Sequence, residues 1–153
     1  ALVISPSSEA AASLQKMRIL AAEDNKTNQL VFRKMIKDLD IDLTFAGNGE
    51  EAVSLFKELS PDIIFMDISM PKMDGKEATK AIRTLEVKTG GHVPIVALTA
   101  HAMDGDDAGI LAAGLDHYLT KPLRKPEIIA QIEAAHGEGM LPLLSVQPVQ
   151  AAG

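Results

Sequence analysis

The 153-residue sequence contains no cysteine. That excludes disulfides, thiolate metal sites and thiol nucleophiles together. It has no excess of basic residues. Fifteen Lys and Arg stand against 21 Asp and Glu, a net charge of −6, so sequence-independent binding of nucleic acid, which draws on a cationic surface, is not expected. No apolar run approaches the roughly 20 residues that a membrane-spanning helix needs. The opening Ala1-Leu2-Val3-Ile4-Ser5 lacks both an initiator Met and the basic stretch of a secretory signal. It reads as a cut from a longer chain, and the expected compartment is the cytoplasm. The four histidines, His92, His101, His117 and His136, lack the spacing of metal ligands. What is present is a large apolar fraction, 46%, enough to build one core of ordinary domain size.

Residues 1–15 are rich in Ala and Ser, and residues 137–153 carry Gly137, Gly139, Pro142 and Pro148. Both are expected to be linker or tail, leaving 16–136 as the folded domain. Within it, short apolar runs alternate with helical periodicity. The runs are 18–22, 42–46, 63–66, 94–98 and 116–119. The helical stripes are Val31, Met35 and Leu39; Ala52, Leu55, Phe56 and Leu59; Ala78, Ile82 and Leu85; and Ile128, Ile129 and Ile132. Residues 103–113 are a weaker helix candidate, because Gly105 and Gly109 each cost about 1 kcal/mol against Ala. Asn48 with Glu51, and Asp74, are the helix-start signals. Five strand–helix pairs whose strands are apolar throughout predict an α/β fold, a doubly wound parallel sheet with helices on both faces. In such a sheet, chemistry gathers beyond the carboxyl ends of the strands.

Those ends are informative. Glu23-Asp24 follows the first run, Asp67 the third, Thr99 the fourth and Lys121 the fifth. Three carboxylates brought together repel one another unless a cation intervenes. With no His or Cys beside them, an oxygen-liganded hard ion is favoured, and Mg²⁺ suits such a set better than Zn²⁺. Lys121 offers a point charge for an anionic substrate, Thr99 can hydrogen-bond a phosphoryl oxygen, and a carboxylate is a competent nucleophile toward phosphorus. Asp67, ending the most apolar strand, is the natural candidate.

Met66-Asp67-Ile68-Ser69-Met70-Pro71-Lys72-Met73-Asp74-Gly75 resembles the phosphoacceptor loop of response-regulator receiver domains. Glu23-Asp24, Leu98-Thr99-Ala100 and Thr120-Lys121-Pro122 match the rest of that family's signature. The resemblance implies a flavodoxin-like three-layer (βα)5 sandwich with strand order 2-1-3-4-5. It implies that Asp67 accepts a phosphoryl group from a phosphohistidine. It further implies that Asp24, Asp67 and the Ser69 backbone carbonyl ligate Mg²⁺, with Glu23 acting through a metal-bound water. Lys121 would pair with Asp67 and then with the phosphoryl group, and the Lys121–Pro122 bond would be cis. Thr99 and Tyr118 would form the conformational switch, and Ser69 and His101 would tune the phosphoryl lifetime. The expected partners are a sensor histidine kinase or a histidine phosphotransfer protein, with no nucleic acid and no membrane contact. Glu23 to Gln29 and Leu98 to Met103 look similar to receivers attached to hybrid histidine kinases. The implied activity is a two-component phosphorelay switch that catalyses only its own phosphoryl transfer and dephosphorylation.

The alternative is a Mg²⁺-dependent phosphohydrolase working through an aspartyl phosphate. Such enzymes usually carry an acid two residues after the nucleophile and a cap insertion; here that position is Ser69 and there is no insertion. A flavin module of similar topology would want a phosphate-binding loop after the first strand, where Glu23-Asp24 would repel the phosphate. A pseudo-receiver used only for binding is disfavoured by the intact set of acids, Thr and Lys.

Overall fold

The computed structural model describes residues 15–68, 70, 73–100, 112–137, 140 and 143. Ser69, His101 and most of the expected helix at 103–113 lie outside them. Among the described residues are strands β1 (Met17–Ala22), β2 (Ile41–Ala46), β3 (Ile63–Asp67), β4 (Ile95–Thr99) and β5 (His117–Thr120). The helices are α1 (Lys26–Met35), α2 (Gly49–Leu59), α3 (Gly75–Thr89) and α4 (Lys125–Ala135). All strand pairs are parallel and the sheet order is β2-β1-β3-β4-β5, the flavodoxin-like arrangement. None of the described helices is long and apolar enough to cross a membrane.

The sheet alternation splits the core in two. Leu20, Ala22, Ile64, Met66, Ile95 and Ala97 pack with Ala52, Ala78 and Ile82 under α2 and α3. Ile19, Ala21, Ile63, Phe65, Val96 and Leu98 pack with Phe32, Ile36, Ile128 and Ile132 under α1 and α4. Every residue of β3 and β4 is buried, as continuous apolar runs require. The edge strand β2 is half-covered, and β5 is mostly exposed.

The start signals operate as their chemistry dictates. Asn48 accepts the Glu51 N–H at 2.9 Å. Asp74 and Glu77 close a reciprocal capping box. Arg124 makes no side-chain cap, and Pro126 stands in the first turn of α4. In α1 the expected inward stripe is partly wrong. Val31 is 44% exposed, while Phe32 and Ile36 are 2% exposed. One residue is a 100° turn of the helix, and the larger aromatic takes the sheet side. Phe32 meets Phe65 edge-on at 5.1 Å between ring centroids. Beyond α4, Met140 pairs with Gln15 in a parallel bridge, and the Leu143 carbonyl accepts the Asp40 N–H. Both apolar side chains pack on the α1–α4 core.

Candidate functional site

The sheet order brings the ends of β1, β3, β4 and β5 into one row. Ala22 pairs with Met66, Asp67 with Leu98, and Thr99 with Thr120. Glu23 follows Ala22 and Lys121 follows Thr120, so both stand one step beyond the ladder. Side chains alternate along a strand. Glu23, Asp67 and Lys121 each lie two residues past Ala21, Phe65 and Leu119, all members of the α1–α4 core. Three side chains from three strands are thereby carried to the same face. Thr99 and Tyr118 have the opposite parity, that of Ala97, which pairs with Tyr118, and so share the α2–α3 face.

Distances confirm the convergence. Carboxylate oxygens of Glu23, Asp24 and Asp67 lie within 4.8 Å of one another. Lys121 Nζ is 3.3 Å from Asp67 Oδ2 and 3.6 Å from Glu23 Oε1. Glu23, Asp67 and Thr99 are buried while Asp24 is exposed, so the cluster opens to solvent through Asp24. Tyr118 is exposed. The Lys121–Pro122 bond is cis, as the resemblance implies.

Local capping fixes Glu23. Its Oε2 accepts the Asn25 N–H at 3.1 Å and the Asn28 side-chain amide at 3.4 Å. Its carbonyl accepts from Gln29 Nε2 at 2.7 Å. Asn25 is the N-cap of α1 and accepts from Asn28 N–H. One polar collar therefore starts the helix and orients the acid, with Oε1 left facing Lys121. Sequence reasoning missed these three partners; the signal was the Asn25–Asn28 capping pattern beside the acidic pair. Burial raises the Glu23 pKa above the ordinary carboxylate range, and repulsion from Asp67 adds to it. The Asn25 N–H, Lys121 and Asn28 oppose the shift without cancelling it.

The loop after Asp67 is clamped by two glycines. Gly75 N–H bonds the Ile68 carbonyl at 3.1 Å, and Gly49 N–H bonds the Met73 carbonyl at 2.9 Å. A Cβ on Gly75 would run into the Asp67 carbonyl oxygen, and one on Gly49 into that of Met73. Met70 and Met73 pack this loop on the α2–α3 core.

The acidic donors are all oxygen and all carboxylate, a set that fits a hard divalent cation. One ammonium against three carboxylates leaves the cluster anionic, so a phosphate would enter only with a cation present. Thus Glu23, Asp24, Asp67 and Lys121 stand together where the strand ends placed them, and Thr99 ends the adjacent strand β4. The placements of Ser69 and His101 lie outside the described residues.

Residues 19–133 match the family model of the response regulator receiver domain. The chain is 41% identical over 120 residues to hybrid signal transduction histidine kinase I of Dictyostelium discoideum, covering 75% of this chain and 7% of that protein. It is 35% identical over 120 residues to the polar-differentiation response regulator DivK of Brucella anthropi, covering 78% of this chain and 96% of that one. The first curated relatives are long; the chain spans 7% to 13% of their lengths. Among solved structures, it is similar to the receiver domain of sensor histidine kinase PA1611 of Pseudomonas aeruginosa, with magnesium coordinated in the active-site cleft. The TM-score is 0.71 at 38% identity, covering 78% of this chain and 96% of that one. It is also similar to a Saccharomyces cerevisiae co-crystal of the receiver domain of Ssk1 with the histidine phosphotransfer protein Ypd1. There the TM-score is 0.73 at 35% identity, covering 78% and 88%.

Proposed function

The chain belongs to the response regulator receiver domain family of two-component systems, and on that premise we propose that Asp67 is its phosphoacceptor. The observation that carries this reading is the contact of Lys121 Nζ with Asp67 Oδ2 at 3.3 Å beside two further carboxylates. An Asp67 oxygen attacks the phosphorus of a donor phosphohistidine. The phosphorus–nitrogen bond breaks, the imidazole leaves with the electron pair, and an acyl phosphate forms on Asp67. No general base is needed, because the leaving group belongs to the donor.

Asp24 and Asp67 would hold Mg²⁺, with the Ser69 carbonyl as a further ligand and Glu23 acting through a bound water. When bound, the ion neutralises phosphoryl charge and orients the incoming oxygens. Lys121 supplies the fixed positive charge on the other side of Asp67. Thr99 bonds a phosphoryl oxygen, and Tyr118, on the same face of the next strand, follows its movement. The phosphoryl group adds about −1.5 to −2 charges at one point, and so biases a two-state equilibrium of this surface. Ser69 and His101 would tune the hydrolysis of the acyl phosphate.

The unit doing this is residues 16–136, read as the receiver module of a hybrid histidine kinase. Its partner is a histidine kinase or phosphotransfer protein in the cytoplasm, in line with the phosphotransfer protein bound to the similar Ssk1 receiver. Exposed Leu30 and Val31 on α1, just past the Glu23 collar, give such a donor an apolar foothold beside the site. The module is a switch and not a turnover enzyme.

The test is intact mass after incubation with Mg²⁺ and acetyl phosphate. Wild type gains an adduct of about 80 Da, the phosphoryl group, which hydroxylamine removes; Asp67→Asn gains none. Steady hydrolysis of unrelated phosphoesters would favour the phosphohydrolase reading instead.

A further inference from the structure

The chain does not leave the domain where α4 ends. The Gly137 N–H reaches Met140 Sδ at 3.4 Å, Met140 pairs with Gln15 in a parallel bridge, and the Leu143 carbonyl accepts the Asp40 N–H. Leu143 is thereby pinned just past α1, with its side chain on the α1–α4 core.

Beside Leu143, α1 and α4 leave a groove of about 480 Å³ between them. Its apolar lining is Met35, Leu39, Ile129 and Leu143, all only half-buried. The charged and titratable groups in its wall are Asp38, Lys125, Glu133 and His136. Lys125 Nζ lies 3.8 Å from Asp38 Oδ2, so those two charges offset each other. Lys16 and Asp40, next to the Leu143 anchor, form a second such pair at 3.4 Å. Glu133 and His136 remain on the rim, and exposed charges of that kind hold an ionic guest weakly. The half-covered hydrocarbon calls for an uncharged, apolar occupant.

The residues continuing from Leu143 have that chemistry. Leu144-Ser145-Val146-Gln147-Pro148-Val149 carries three aliphatic side chains and no charge. Pro148 has no N–H to leave unsatisfied on burial and disfavours helix at the residue before it. The reach is sufficient. From Lys125 to His136, α4 and its cap span roughly 17 Å, which about five extended residues cover. A segment tethered at the rim is also present there at about millimolar effective concentration, which favours it over a free partner.

We propose that residues 144–149 lie in the α1–α4 groove as a strap, with Leu144 and Val146 covering Met35, Leu39 and Ile129. The strap ties together the two helices that follow the acidic pair and Lys121.

The test uses the full chain, whose lack of cysteine allows a single label. Gln147→Cys carries a nitroxide, and amide resonances of the isotope-labelled protein are compared before and after its reduction. Selective broadening of Met35, Leu39 and Ile129 is expected, with Phe56 and Leu85, on the other side of the sheet, unchanged. Adding L144D/V146D should abolish that broadening, because carboxylates are expelled from an apolar groove, while circular dichroism shows the fold retained. Broadening that survives L144D/V146D reports only closeness to the Leu143 anchor and overturns the proposal. So does its absence from the chain with Leu144 and Val146 intact. Broadening seen in a mixture, from a spin-labelled chain onto a separate isotope-labelled one, makes the occupant a second copy and also overturns it.

Discussion

Lys121 Nζ bridges Asp67 Oδ2 at 3.3 Å and Glu23 Oε1 at 3.6 Å. Among the described residues it is the cation that faces both buried acids. Lys121→Gln removes that charge while keeping a side chain of similar length. The rate of adduct formation from acetyl phosphate should fall about 100-fold, the usual cost of losing one fixed charge-stabilising group. Lys121→Arg should restore little of it, since a planar fork does not replace a compact ammonium. A mass time course reads both.

Burial and Asp67 both disfavour the ionised form of Glu23, so the acidic cluster weakens the metal-free fold. Its folded pKa lies above the unfolded value. The stability this group contributes is therefore full below the unfolded pKa and is lost as pH rises through the raised folded one. Glu23→Gln should raise the melting temperature in EDTA at pH 7 by a few degrees, about 1 kcal/mol in a domain of this size. The gain should vanish below about pH 4. The same change should weaken Mg²⁺ binding about ten-fold, as measured by calorimetry. A lower melting temperature in EDTA would refute the charge argument.

Gly75 leaves no room for a side chain, because a Cβ there would meet the Asp67 carbonyl oxygen and lie 2.9 Å from Met66 Cγ. Gly75→Ala should cost about 1–3 kcal/mol in urea unfolding through overpacking. It should also slow Asp67 labelling, because the loop carrying the acceptor must shift.

Asp116, just before β5, joins Arg83 Nη2 at 2.7 Å, the Ile95 N–H at 2.8 Å and His92 Nε2 at 2.8 Å. Burial alone would raise its pKa; the His92 hydrogen bond, the Ile95 N–H and the Arg83 guanidinium outweigh it and hold the pKa below the usual carboxylate range. Its contribution is thus present above the unfolded pKa and lost as pH falls through the lowered one. Asp116→Ala should destabilise by about 2–3 kcal/mol at pH 7, since it strands an Arg and a backbone donor. Thermal melts should show that deficit shrinking below about pH 4.

Two adjacent residues of α1 separate pattern from packing. Phe32→Ala should cost about 3–5 kcal/mol as a core truncation, whereas Val31→Ala should stay within about 0.5 kcal/mol. Equal losses in denaturant titrations would contradict the burial reported for this helix.

The alternation of strand and helix was legible because burial on both faces writes itself as an unbroken apolar run. Ile63 to Met66 and Ile95 to Leu98 are such runs. The residues ending each run therefore follow from the local pattern alone. Half-buried helices were less legible: Val31, Phe32 and Met35 are all apolar, and only contact with Phe65 and Phe45 selects the inward set. The Arg83–Glu86–Asp116 network was invisible for a related reason. Asp116 stands 33 residues beyond Arg83, and Glu86 looks like any solvated helix acid.

Sequence alone determined which residue types stand at the carboxyl ends of the strands, since strand and helix periods are local properties of neighbouring residues. Tertiary structure decided that carboxylate oxygens of Glu23 and Asp67 come within 4.8 Å of each other. A sheet in simple sequential order would put β2 between them, whereas crossover of the chain seats β1 directly against β3. Tertiary structure also decided the protonation balance of Glu23, because burial and repulsion from Asp67 exist only once those strands lie side by side.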